Sequence, residues 1–353
     1  MQHQFRIIKQ LNNSSISAGA SVVALSPAEG IAYSDSTRRV AVSFANTCNI
    51  ACSYCGLEYS KPWQEDIARW GPYPATVLAP IVPASLVNFV DDFWQSWPVL
   101  YSQLEEIALI GGEPLSDDNS LRVLEYVSAI PSRGLRVTVD SSFGIPEEQF
   151  DRYLGLASNI SYSQVGSFVQ RMKLDTGIAD HAEYVHNGMS YLATVSRAIK
   201  YLRATSDSAV LEFTVTLTNL SVVGLVRLLE MIMNLRRHFS HTQQRVTFTI
   251  NPATSQHHSL SIIPEISARA IDEAVQWAKQ HPANNSFVGF TESEVALLES
   301  LCTTTLPAAD NAQLAGFYRF FSARDKRTRT DFLNVFPYLS QAWNRGRHYA
   351  ELV

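Results

Sequence analysis

Strand-length apolar runs alternate with helix-length amphipathic stretches along the middle of this chain, and that alternation constrains its fold more than any other feature. Six runs read as strands: Val40–Phe44, Ile107–Ile110, Leu135–Val139, Ile160–Ser163, Val210–Leu217 and Val246–Ile250. Helical spacing marks Leu86–Trp97 with Ser85 as its N-cap, Leu121–Ile130 closed by Pro131, Tyr191–Arg203, and Val222–His238. The basic last turn of that final helix suits the helix dipole. Strands joined through helices pair in parallel, because the crossover carries the chain back to the starting end. The loops that follow the strands then gather at one end of the sheet, where sites form.

Outside this region the pattern changes. Residues 1–36 are rich in Ser, Asn and Ala and read as an N-terminal arm, in which Phe5–Ile8 and Val22–Leu25 could pair as short strands. Residues 37–255 form the core domain, and 256–353 an extension with helical spacing over 265–280 and 291–301. An aromatic-rich stretch, 314–323, precedes the charged run Asp325-Lys-Arg-Thr-Arg-Thr-Asp331. Of the 353 residues 46% are apolar and 17% charged, which suffices for a sizeable core. The formal charge of −5 argues against a nucleic-acid-binding surface as the main business of the chain. No run approaches the roughly 20 apolar residues of a membrane span, and the N-terminus lacks a secretory core, so the expected location is cytoplasmic.

Three of the four cysteines fall within eight residues, Cys48-Asn-Ile-Ala-Cys52-Ser-Tyr-Cys55, a C-x3-C-x2-C spacing directly after a strand. In a reducing compartment such crowding points to metal rather than disulfides. Three thiolates on a tight loop can ligate three irons of a cubane cluster, leaving the fourth iron open to a chelating amine and carboxylate. They can also bind zinc, with Cys302 or a histidine as fourth ligand, although common zinc sites use two separated pairs and no second pair exists here. A second motif, Gly111-Gly112-Glu113-Pro114, follows the next strand about 55 residues on. Its glycines let backbone approach a ligand closely, and its carboxylate can receive an ammonium.

The cysteine spacing, the aromatic Tyr54 before the third cysteine and the Gly-Gly-Glu-Pro motif together resemble the radical S-adenosylmethionine (SAM) superfamily. The resemblance implies an α/β fold, a partial (β/α)6 TIM-like barrel with a twitch-like or helical C-terminal extension. It implies a [4Fe–4S] cluster on Cys48, Cys52 and Cys55. It also implies SAM bound with its adenine near Tyr54 and its methionine amine at Gly111, Gly112, Glu113 and Pro114. Ser161 and Ser163 match the ribose-contacting region, and Asn219 a polar position after the fifth strand. Asp140-Ser141-Ser142 stands where relatives carry Thr-Asn-Gly.

Further stretches are similar to the twitch-domain subgroup: Cys55-Gly-Leu-Glu-Tyr-Ser-Lys-Pro-Trp63, Glu183-Tyr-Val-His-Asn-Gly188, the 325–331 run, and Val335-Phe-Pro337, where Tyr338 replaces the usual Glu. The implied activity is reductive cleavage of SAM to a 5′-deoxyadenosyl radical that abstracts hydrogen from a small sugar- or nucleotide-like substrate. A flavodoxin- or ferredoxin-type reductant would supply the electron. The alternatives are a peptide-modifying enzyme, an epimerase or cross-linker, and, from another class, a non-enzymatic zinc-binding module. Auxiliary clusters need several cysteines and only Cys302 remains, so one cluster is expected. Cys302 is either a hydrogen-atom donor to a substrate radical or a buried small hydrophobe. Arg324, Lys326, Arg327 and Arg329 could bind an anionic substrate or form a solvated helix end. His257 and His258 fall in a loop after the sixth strand, near a substrate or on the surface.

Overall fold

The computed structural model of the chain describes residues 6–8, 38–44, 47–57, 59–74, 89–253, 255–284, 286–302 and 307–352. The expected strand Val22–Leu25 and the Ser85 cap lie outside these residues. Strand β1 (Arg6–Ile8) runs antiparallel to β2 (Arg39–Ser43), with Ile7 opposite Val42. The cysteine loop follows and contains the two-residue strand β3 (Ala51–Cys52). Helices α1 (Lys61–Trp70) and α2 (Phe89–Gln103) lead to β4 (Glu106–Leu109). Helix α3 (Asp118–Ala129) leads to β5 (Ser132–Asp140), and α4 (Glu147–Asn159) to β6 (Val165–Lys173). Then come α5 (Ala179–Val185), β7 (His186–Asn187), α6 (Tyr191–Ala204) and β8 (Ala209–Leu217). Helix α7 (Leu225–Phe239) precedes β9 (Val246–Pro252).

Strands β2, β4, β5, β6, β8 and β9 pair in parallel in that order, so spatial order equals chain order. This is a run of six β/α units, compatible with a partial TIM-like barrel; β1 extends one edge, and β3 and β7 form a separate two-stranded ribbon. Local sequence explains the elements. Asp117 caps α3, its Oδ1 accepting from the Asn119 amide at 2.8 Å. In β8, Ala209, Leu211, Phe213, Val215 and Leu217 alternate onto the buried face. Full burial of a side chain such as Phe213 is worth roughly 1.5–3 kcal/mol.

Two expectations are corrected here. The fourth parallel strand is β6, at 165–173, while Ile160–Gln164 is a π-helical turn continuing α4. The strand was hidden because Gln170, Arg171 and Lys173 interrupt its apolar run. Helix α2 does not stop at Trp97 but continues through Pro98, because Leu100 and Tyr101 are both buried beyond that break. After β9 the described residues form helices and short turns: α8 (Pro264–Gln280), α9 (Glu292–Cys302), α10 (Asn311–Thr328), α11 (Phe332–Val335) and α12 (Ser340–Glu351). Buried Phe317, Phe320 and Phe321 make α10 the apolar backbone of this unit, with Phe332 stacked on Trp343 at 4.7 Å.

Candidate active site

The C-terminal ends of the six parallel strands deliver the cysteine loop, Glu113, Asp140, Lys173, Asn219 and the His257–His258 turn to one mouth. The cysteine loop is held from several sides. The Cys48 amide donates to Tyr59 O at 2.9 Å and its carbonyl accepts from the Lys61 amide at 3.1 Å. Ser53 donates its amide to Val185 O at 2.7 Å, and Trp63 Nε1 donates to Cys52 O at 2.8 Å. From α10, Arg324 Nη2 donates to Ala51 O at 2.8 Å, its guanidinium lying over the rings of Trp63 and Tyr184.

The thiols are close enough to influence one another. A hydrogen bond between Cys52 and Cys55 lowers Cys55 to about 7 and raises Cys52, while burial lifts Cys48 to about 12. Lys173 balances this charge. Burial pulls its ammonium down, and Cys52, Cys55, Asp175 and Asp140 together push it up by more. Its Nζ also lies 5.5 Å from the centre of the Tyr54 ring. Burial raises Asp140, with Lys173 and Arg171 opposing.

Glu113 joins the second motif to the cysteine loop, its amide donating to Thr47 O at 3.1 Å. Its carboxylate is 1% exposed and accepts from the Leu115 amide. Burial pushes it up to about 7, against the opposing donors Ser141, Leu115 and Gly144. Gly111 has φ +136°, a conformation that favours glycine, and stands exposed before Gly112 and the buried Pro114.

Asn219 is fully buried, its Nδ2 donating to His257 O at 3.0 Å and its amide to His258 O at 3.1 Å. His258 Nε2 lies 3.0 Å from Ser53 Oγ, which ties this turn to the cysteine loop. The Asn219 Oδ1 atom is buried without a hydrogen-bond partner, so an acceptor is left for an incoming donor. Three soft thiols near the Lys173 ammonium, a buried carboxylate and this orphaned acceptor form a set that fits an iron–sulfur cluster with an amine-bearing ligand.

Several expected residues sit elsewhere or act otherwise. Ser161 lies in the turn before β6, at the opposite end of the strand from Lys173, where its hydroxyl donates to Ser158 O and accepts from the Ser206 amide. The Ser163 backbone belongs to the same turn. Cys302 is exposed at the end of α9, and its charged neighbours are Asp272, Glu299 and Lys279. His257 and His258 are buried rather than on the surface, with His257 stacked on Phe320 at 5.0 Å. Arg324 and Arg327 are neither solvated nor free for an anion. Arg324 is 2% exposed, and Arg327 Nη1 donates to Asp66 Oδ2 and Gly71 O over the Tyr73 ring. Lys326 and Arg329 are exposed.

Sequence reasoning missed Lys173, Asp175 and His186. Lys173 ends β6, whose apolar run is interrupted, Asp175 lies two residues past it, and His186 belongs to a two-residue strand with no readable period. A cavity of about 240 Å3 opens beside the cysteine loop, lined by Asn49, Gly144, Ser190 and Arg197 among others. No helix among the described residues is long and apolar enough to cross a membrane.

No protein-family profile matches the chain, and no curated protein matches it. Among solved structures, Streptococcus suis SuiB bound to its precursor peptide SuiA matches with a TM-score of 0.40 and 11% sequence identity. The match covers 69% of this chain and 46% of that one, so the chain spans less than half the length of SuiB.

Proposed function

We propose that the chain is a radical SAM enzyme with one [4Fe–4S] cluster on Cys48, Cys52 and Cys55. The observation that carries this reading is the joining of the three-cysteine loop to Glu113 of Gly-Gly-Glu-Pro through the Thr47 carbonyl, at the C-terminal mouth of a parallel sheet. When bound, the cluster and SAM would supply reductive cleavage of the sulfonium to methionine and a 5′-deoxyadenosyl radical that takes a hydrogen atom from substrate.

The chain's own residues do the holding. Glu113, ionised, receives the ligand's ammonium, and Asn219 Oδ1 offers an acceptor to its polar groups. Tyr54 presents a flat ring that Asp175 fixes through a 2.5 Å hydrogen bond. Lys173 offsets the negative charge of the thiolates and of Asp140 and Asp175. Phe44, Trp63 and Phe320, all buried, limit water behind the cysteine loop. The substrate taken with this reading is a small sugar- or nucleotide-like molecule, which the cavity beside Asn49 could admit in part; a peptide is the alternative class.

The test is anaerobic reconstitution followed by iron and sulfide analysis, then incubation with dithionite and SAM. Near four irons and four sulfides per chain, with 5′-deoxyadenosine formed, are expected. A colourless protein holding one zinc would point instead to a zinc-binding module. A fully loaded cluster that forms no deoxyadenosine, with sugar, nucleotide and peptide candidates present, would overturn the enzymatic reading.

A further inference from the structure

Arg197 of α6 grips the loop that follows β5. Its Nη1 donates to Phe143 O at 2.5 Å and to Ile145 O at 2.6 Å, and its Nη2 donates to Glu147 Oε2 at 2.7 Å. The side chain is mostly buried, and its guanidinium lies over the Phe150 ring at 5.0 Å. Phe143 has φ +59°, in the left-handed region that a bulky residue rarely enters. Its ring is buried against Phe150 and Tyr153. Its amide donates to Ser141 Oγ at 3.0 Å, which leaves the proton of that hydroxyl for another acceptor. Gly144 has no room for a side chain, because a Cβ there would stand 2.9 Å from Ile50 Cδ1 of the cysteine loop. The same point is 3.9 Å from Glu113 Oε2, and the Ser141 hydroxyl and the Gly144 amide both donate to that carboxylate.

We propose that Arg197 is a positioning residue: by holding the Phe143 carbonyl it fixes the plane of the Phe143–Gly144 peptide, so that the Gly144 N–H points at Glu113 and orients that carboxylate for the ammonium of SAM. This rests on the radical SAM reading above. A trans peptide is planar, with its N–H and C=O on opposite sides, so an oxygen held by Arg197 sends the N–H the other way. The second bond, to Ile145 O, holds the far side of Gly144, and between them Asn49 Nδ2 approaches Gly144 O at 3.5 Å. Phe143 gains by leaving its left-handed conformation once the guanidinium is gone, and Gly144 has the freedom to follow. The N–H would then turn away from Glu113.

The experiment measures SAM affinity by anaerobic calorimetry on cluster-loaded protein, in a double-mutant cycle of Arg197→Met with Glu113→Gln. Arg197→Met alone is expected to weaken binding roughly tenfold, as for the loss of one hydrogen bond to a charged group. In the Glu113→Gln background the same change is expected to cost less than about twofold, because the carboxylate through which it acts is gone. Methylthioadenosine, which shares the adenosyl part but has no amine, is expected to bind Arg197→Met as it binds wild type. An equal loss in both backgrounds, or for both ligands, marks a merely structural arginine and overturns the proposal. So does an unchanged SAM affinity in fully loaded Arg197→Met. These results leave the radical SAM reading standing. Should Arg197→Met take up too little iron, Arg197→Lys, which cannot fork across two carbonyls and Glu147, goes through the same cycle with the same outcomes. A wild-type chain that takes up no cluster, or that binds no SAM when loaded, overturns both readings.

Discussion

The Tyr184 hydroxyl donates to Asp325 Oδ1 at 2.9 Å, joining α5 to α10 across 141 residues of sequence. Asp325 also accepts from Thr330 Oγ1 and from the Phe332 amide, both at 2.8 Å, so it organises the turn that ends α10. The stretches around Tyr184 and Asp325, far apart in sequence, therefore meet in space. Tyr184→Phe removes one donor and leaves Asp325 partnered, so a loss of about 1 kcal/mol is expected, read from the urea midpoint. Iron content after reconstitution should stay at the wild-type level.

Arg324 is a stronger case. Arg324→Met keeps the apolar stem but leaves the Ala51 carbonyl without its buried donor. The expected cost is about 1–3 kcal/mol. Because Ala51 precedes Cys52, iron should also pass to a chelator faster than in wild type. Arg347→Met, which removes only an exposed pair with Glu351, is the control and should leave both readings unchanged.

How far the sequence reveals these arrangements differs from residue to residue. The parallel sheet was readable, because Val40–Val42, Ile107–Leu109 and Val246–Ile250 are short apolar runs punctuated by turns and helices. So were the three cysteines and Glu113, which are local motifs. Strand β6 was misplaced because its buried Gln170 answers Tyr153 and its Arg171 pairs with Glu212, partners invisible from a local window. Arg324 and Arg327 read as solvent-facing charges, because charge alone does not show that Ala51 O and Asp66 await them. His186 stands in the Glu183–Gly188 stretch, but its place opposite Cys52 comes from a ribbon of two residues per strand.

Glu113 carries a pH signature. Burial holds its carboxyl at about 7 rather than 4.5, so near neutrality the free site is partly protonated. An ammonium ligand binds the ionised form, so SAM affinity for the loaded protein should rise with pH through about 7. Below that it should weaken about tenfold per pH unit. Calorimetry from pH 6 to 8 checks the slope, which Glu113→Gln should flatten while weakening binding throughout. For folding the sign reverses. A raised carboxyl pKa means the folded chain holds a proton more tightly, and the stability this contributes is lost as pH climbs from about 4.5 to about 7.

His258 acts in the acid range. Burial, with His257 and Arg324 adding, pushes its imidazole down to about 3 from 6.5. The folded chain keeps this ring neutral while the unfolded chain takes up a proton below 6.5, so stability falls as pH drops from 6.5 toward 3. The slope from this group is at most about 1.4 kcal/mol per pH unit. Urea midpoints at pH 7, 6 and 5 should therefore fall more steeply for wild type than for His258→Gln.

The reach of Arg324 back to Ala51 also bears on when the site can form. The loop is near the start of the core and its clamp is 273 residues further on. A ribosome releases the cysteines long before it releases α10, so the loop spends that interval without the arginine that later clamps the Ala51 carbonyl. Were a cluster held there, its assembly would be a late event, dependent on translation having passed the helix. Nascent chains stalled before residue 324 would carry the three thiols on a loop that lacks this clamp.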